Sequence, residues 1–179
     1  MSVIFLAGVH GVGKGFLGAP VAKSLGMDHL TASQLIQQEK GRATWSEDKR
    51  VAEVDDNQLA LIRAITRLHV SGKRILLDGH FVLRDASGNL TKLPPDIFAQ
   101  LHLAGAIVLT EEAEIISHRI AGRDGVQASA EAIVELAAEE ALHSENVCRQ
   151  LQIPLTILHS PDKVALMDAI TELLKNTRF

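Results

Sequence analysis

The sequence predicts an α/β fold, a parallel β-sheet with helices on both faces. Three observations carry that expectation. Short, continuous apolar runs occur at Val3–Ala7, within Arg74–Asp78 and at Ala106–Leu109, the form taken by strands covered on both sides. Segments of helical periodicity separate them, and strand–helix alternation makes neighbouring strands parallel. The first run opens into five glycines between Gly8 and Gly18, with a single lysine, Lys14, among them.

Taken in order, Val3–Ala7 is the first strand, and Lys14–Leu25 reads as a helix stopped by Gly26. A short strand near His29–Thr31 precedes a helix from Ser33 to about Glu39, and Gly41–Trp45 reads as a loop. Ser46, followed by Glu47 and Asp48, marks a helix start, with acids near its positive end. Apolar residues at Val51, Val54, Leu61, Ile62, Ile65 and Leu68 continue that helix towards Gly72. The turn formers of Arg84–Pro95 predict a long excursion or hairpin. Beyond the strand at Ala106–Leu109 come a helix over Glu111–Ile120, a loop over Gly122–Ser129 and a long helix over Ala130–Leu151. A strand at Leu155–Leu158 and a helix over Pro161–Lys175 complete the pattern.

Composition narrows the function. With 179 residues, 46% hydrophobic and 22% charged, residues 1–179 are expected to form one domain around a substantial core. A net charge of −4 supplies no basic field for a nucleic-acid backbone. Aromatics at 3%, with one Trp and no Tyr, leave few platforms for stacked bases. The lone Cys148 suits a reducing compartment, and no apolar stretch reaches the roughly 20 residues that span a bilayer. The first apolar run has no basic residues before it and does not read as a signal peptide. The expectation is a cytoplasmic protein without membrane or nucleic-acid partners.

The glycine segment "GVHGVGKG" fits Gly-x-x-x-x-Gly-Lys between a strand and a helix, the context of a phosphate-binding loop. Glycines at Gly8, Gly11, Gly13 and Gly15 let backbone N–H groups converge on phosphates, and the helix after them adds its positive end. Lys14 would meet the phosphates as a point charge. His10, Val12 and Phe16 complete the segment. His10 reads as a loop residue and not a catalyst, because nothing in the sequence pairs with it. Gly15 stands where a magnesium-ligating hydroxyl is usual. Mg²⁺ would then be held by phosphate oxygens, waters and a carboxylate, which its reluctance to dehydrate allows. Asp78, ending an apolar strand, is the candidate, with a turn-capping role as the alternative.

"GVHGVGKG" with "LGMDHLTASQLIQ" resembles the opening of the adenylate kinases, and "LLDGHFVLRDASGNLTKLPPDIFAQLHLAGAIVL" resembles the archaeal-type members more closely. "IISHRIAGRDG" is similar to the start of that family's lid. The resemblance implies a P-loop NTPase three-layer fold with a five-stranded parallel sheet. It also implies ATP with Mg²⁺ and phosphoryl transfer to a nucleoside monophosphate. An acceptor-binding helical region would cover about 31–70 and a short lid about 119–130. Residue by residue, it assigns the loop glycines and Lys14 to the donor, Thr31 to a substrate turn, and Asp78 and His80 to the strand end. Arg84 becomes a basic position after that strand, and Arg119 and Arg123 become the lid arginines. Phe16 and Gln37 differ from the family's Thr and Arg, and the lid lacks further arginines. Each lost charge-assisted contact is worth roughly 1.5–3 kcal/mol, so the acceptor can differ from AMP.

In that reading Lys14, Arg119 and Arg123 neutralise the moving phosphoryl group, with no covalent catalyst. Arg119 and Arg123 share a helix face; the alternative is a pair of exposed charges beside Glu112 and Glu114. Arg42 and Arg84 are candidates for the acceptor's phosphate or ordinary surface residues. His80 either orients Asp78, touches substrate or is a satisfied buried histidine. Trp45 either packs a base or anchors its loop. Arg63 and Arg67, and the stripe Glu131, Glu135, Glu139, read as solvated faces. Two further functions stay open: a kinase for another small acceptor, and a slow ATP-binding module that signals to a protein partner.

Overall fold

The computed structural model describes residues 2–41, 54–70, 72–85, 87–125 and 128–176. Arg42, Trp45 and the helix start expected at Ser46 lie outside the described residues. The strands are β1 (Val3–Ala7), β2 (Asp28–Thr31), β3 (Ile75–Asp78), β4 (Val82–Arg84), β5 (Leu90–Lys92), β6 (Leu103–Thr110) and β7 (Leu155–His159). The helices are α1 (Lys14–Ser24), α2 (Ala32–Lys40), α3 (Val54–Val70), α4 (Pro95–Gln100), α5 (Ala113–Asp124), α6 (Ala130–Leu151) and α7 (Lys163–Asn176).

Five strands form one parallel sheet in the order β2-β3-β1-β6-β7. β1 is its centre and is buried along its whole length. Successive side chains of a strand leave by opposite faces, and β1 divides accordingly. Val3, Phe5 and Ala7 join a core with Leu61, Ile65, Phe81, Phe98 and Val147. Ile4 and Leu6 join the opposite core with Leu17, Val21, Ile116, Leu166 and Ile170. Thus α3, α4 and α6 cover one face, and α1, α5 and α7 cover the other. Phe5 meets Phe81 edge-on, with ring centroids 5.0 Å apart, and Phe81 stacks on Phe98 at 4.6 Å, arrangements that aromatic quadrupoles favour.

The expected hairpin is present: β4 and β5 pair antiparallel, Val82 opposite Lys92 and Arg84 opposite Leu90. Asp85 closes its turn by accepting from the Ser87 and Asn89 amides, both at 2.9 Å. Most boundaries shift from the sequence reading by one or two residues, and two shift further. α5 runs through Gly122 to Asp124, and the loop begins at Gly125, whose left-handed φ of 69° caps the helix. β6 begins at Leu103, three residues before the predicted start, because Leu103 and Gly105 already pair with β1. No helix among the described residues is long and apolar enough to cross a membrane.

Candidate active site

The C-terminal ends of the parallel strands open onto a cavity of about 1130 Å³, the place where open α/β sheets present ligand-binding groups. One end is lined by residues 11–17 with Glu111, Arg119 and Pro161, and the other by Thr31, Ser33, Asn57, Leu61, His80 and Phe98. Asp78 lies between them at the end of β3.

The loop from β1 to α1 has its shape because of its glycines. Gly8 has φ 136°, and a Cβ there would meet the Leu109 carbonyl oxygen at 2.5 Å, so no side chain fits. Gly13 caps α1 with φ 109°, in the left-handed region. The first helical bond of α1 runs from the Leu17 amide to the Gly13 carbonyl at 3.0 Å. The N–H groups of Lys14, Gly15 and Phe16 therefore have no partner within the helix, and no acidic side chain occupies its first turn. That helix end suits an anion. A Cβ at Gly15 would meet nothing within 4 Å, so sterics do not exclude a hydroxyl there.

Lys14 is 7% exposed. Its ammonium donates to the Gly8 carbonyl at 2.7 Å and the Val9 carbonyl at 3.4 Å, and lies 3.7 Å from Asp78 Oδ1. Burial presses Lys14 below its ordinary pKa, and the charges of Asp78 and Glu140 oppose that. Burial lifts Asp78 above the ordinary carboxylate range, held back by Lys14 and His29. His29 Nε2 sits 3.9 Å from Asp78 Oδ2.

α5 brings both predicted arginines to the loop. Arg119 donates to the Val12 carbonyl and to Glu111 Oε2, each at 3.0 Å. Arg123 donates to both oxygens of Asp124, at 2.7 and 2.9 Å, and also contacts His10 Nε2. His10 in turn lies 3.1 Å from Asp124 Oδ2. His10, which has no partner in its own segment, finds two in the fold, 113 and 114 residues away. The same contacts hold the Asp124 carboxyl far below its usual range.

The other predicted residues divide. Thr31 lines the cavity and also caps α2, its hydroxyl accepting from the Gln34 amide at 3.1 Å. His80 lines the cavity and lies 3.9 Å from Glu140 Oε1. Arg84 lines the cavity too, but its guanidinium donates to the Gly88 and Ala132 carbonyls and to Glu135 at 2.7 Å, fastening the hairpin to α6. Arg63 and Arg67, read as a solvated face, both reach Glu39. Of the supposed solvated stripe, Glu135 pairs with Arg84, and Glu139 pairs with Lys92 at 2.7 Å.

Sequence reasoning missed Glu140. This α6 carboxylate is 1% exposed. It accepts from Gly8 N–H at 3.2 Å, Phe81 N–H at 3.0 Å to each oxygen, and Val82 N–H at 2.6 Å. It thereby ties the phosphate-loop entrance to the segment following Asp78. Burial raises its pKa, and those amides oppose the rise. The signal was present: Ile133, Leu136, Glu140, Ser144 and Val147 follow helical spacing, which places one acid within an apolar stripe.

Among the described residues no three His, Cys, Asp or Glu side chains are grouped to cage a metal. One carboxylate, Asp78, facing a polyphosphate-sized cavity fits a hard cation that keeps most of its waters and arrives on phosphate oxygens.

Comparison with known proteins agrees with this fold. A sequence profile of the AAA domain family matches residues 7–136. No curated protein matches the chain. Shikimate kinase from Acinetobacter baumannii, solved with shikimate, superposes with a TM-score of 0.62 at 17% identity, over 100% of this chain and 96% of that one. A gluconokinase from Sinorhizobium meliloti 1021 superposes with a TM-score of 0.57 at 14% identity, over 98% of this chain and 93% of that one. Likeness at these identities establishes the fold, and the profile match establishes the family. With a glycine loop, a buried lysine and a five-stranded parallel sheet of order β2-β3-β1-β6-β7, the chain is a P-loop NTPase fold and belongs to the AAA domain family.

Proposed function

We propose that this protein is a nucleotide-dependent kinase that transfers the γ-phosphoryl group of ATP to a small-molecule acceptor. The observation that carries this reading is convergence. The α1 amides, Lys14, Asp78, Arg119 and Arg123 all border one cavity, which continues past them between β2, α2, α3 and α4. That extra volume suits a second substrate. The similar folds solved as gluconokinase and shikimate kinase support the same class.

Lys14 and the loop amides hold the donor's phosphates. Asp78 and the phosphates would hold Mg²⁺, which would supply charge neutralisation. Arg119 and Arg123 neutralise charge developing on the transferred group, and their forked donors match its oxygens. Among the described residues, 119–125 and 128–130 would act as a lid, and 31–41 and 54–70 as the acceptor region. The lining at the acceptor end favours a hydroxyl compound: Thr31, Ser33, Asn57 and Gln58 stand beside His80, and Arg84 already has three partners. A nucleoside monophosphate is the second reading, favoured by the archaeal-adenylate-kinase pattern of the Asp78–His80 strand end and its hairpin.

The test is a panel of polyols, hydroxy acids, nucleosides and nucleoside monophosphates, each incubated with ATP and Mg²⁺ and followed by phosphorus NMR. A new phosphate monoester is the expected product, and a new nucleoside diphosphate would establish the second reading. Tight ATP binding with no transfer to any acceptor would replace both with an ATP-binding module that acts through a protein partner.

A further inference from the structure

We propose that the Phe16 ring is the platform on which the donor's aromatic base stacks, with Lys163 holding the ring from its other face. The inference rests on the phosphate-loop reading above and adds the group that recognises the base.

Phe16 is the third residue of α1, directly after the lysine and glycine whose amides face the phosphates. Its side chain lines the same cavity, yet it is 77% exposed. The chain has five Phe. Phe5, Phe81 and Phe98 are buried in one cluster, and Phe179 lies outside the described residues. Phe16 is therefore the exposed phenylalanine among the described residues, and it sits at the mouth of the phosphate loop. A single apolar side chain on a surface needs no explanation; one at the rim of a ligand cavity is placed to be covered by a ligand.

The second observation is Lys163. It opens α7, and its ammonium lies 5.7 Å from the Phe16 ring centroid, within cation–π range. That contact occupies one face of the ring and leaves the other to a planar partner. Pro161, two residues earlier, lines the same rim. No Cβ projects from Gly15, and one built there would meet no atom within 4 Å beyond its chain neighbours and the helix's own backbone. An anionic chain seated on the α1 amides would thus carry its attached base out past the open side of Gly15 to the phenyl ring. Stacking of this kind tolerates any base, because every base has a π-face. The ring selects nucleotides over bare polyphosphate without choosing among purines.

The experiment measures Mg-ATP and Mg-tripolyphosphate binding to the full chain by calorimetry, for wild type, Phe16→Ala, Phe16→Leu and Phe16→Trp. The exposed position predicts unchanged thermal unfolding in all three variants. Phe16→Ala and Phe16→Leu are expected to bind ATP about tenfold more weakly and tripolyphosphate unchanged, with Phe16→Trp restoring ATP affinity. Unchanged or tighter ATP binding in Phe16→Ala would overturn the inference, as would equal weakening of both ligands or full affinity in Phe16→Leu. A wild-type chain that binds tripolyphosphate as tightly as ATP would also overturn it, while leaving the phosphate loop intact. A wild-type chain that binds neither ligand removes the phosphate loop, and this inference with it.

Discussion

Replacing Glu140 with glutamine keeps the shape of the side chain and turns one of its two acceptors into a donor. Three backbone amides converge on the carboxylate, and Val82 makes the shortest bond, at 2.6 Å to Oε2. The glutamine oxygen should stay with Val82, which places the new NH₂ at the Oε1 side, against the Gly8 amide now bound at 3.2 Å. Phe81, shared between both oxygens at 3.0 Å, can keep one of them. One buried N–H is left unsatisfied, at roughly 1–3 kcal/mol. The two surviving bonds lose the charge that strengthened them, about 1 kcal/mol each. Removing a buried charge returns part of this. The net expectation is a loss of about 2 kcal/mol, read by calorimetry as a fall in Tm of roughly 4–8 °C for a chain of this length. Because Gly8 is the group released, KM for ATP should rise with it. A Tm equal to or above wild type would refute the reasoning, since it would mean that burial of the charge outweighs its three donors.

Three further outcomes are expected. Lys14→Ala should abolish measurable ATP binding and transfer, because Lys14 is the buried cation of the loop; unchanged turnover would remove the phosphate-loop assignment. Arg123→Ala should lower kcat on the order of 10²-fold with a smaller change in KM for ATP, as loss of a transition-state contact does; equal changes would count against its role. Burial pushes the Cys148 thiol from 9.0 up to about 11. The native state keeps its proton where the unfolded chain has lost it, so this contribution to stability is complete below about pH 9 and declines towards pH 11. Urea midpoints across that range should fall for wild type and fall less for Cys148→Ala, and a thiol reagent at pH 8 should modify Cys148 only after unfolding.

Much of the fold is legible in the sequence because buried parallel strands leave uninterrupted apolar runs. β1 and β3 are bounded by such runs, and Ala130–Leu151 matches α6 at both ends. The start of β6 is not legible because Gly105 is a weak strand former; it is accommodated by Leu173 and Pro154 packed where its Cβ would be, a tertiary reason invisible locally. The six-residue α4 opens on Pro95 after Pro94, so its own signal is that of a turn. The phosphate loop is legible because its spacing is local. The stripe marks Glu140 as buried, but its amide partners and the His10–Asp124 contact are not legible, because they lie far along the chain.

The Lys14 ammonium is out of water, held by two carbonyls of its own loop. Its dehydration is incurred once, when the chain folds. A polyphosphate bound as proposed would exchange those carbonyls for its own oxygens and meet a dry cation whose attraction water does not weaken. Folding bears that burden, and bound nucleotide should therefore raise resistance to heat and proteolysis.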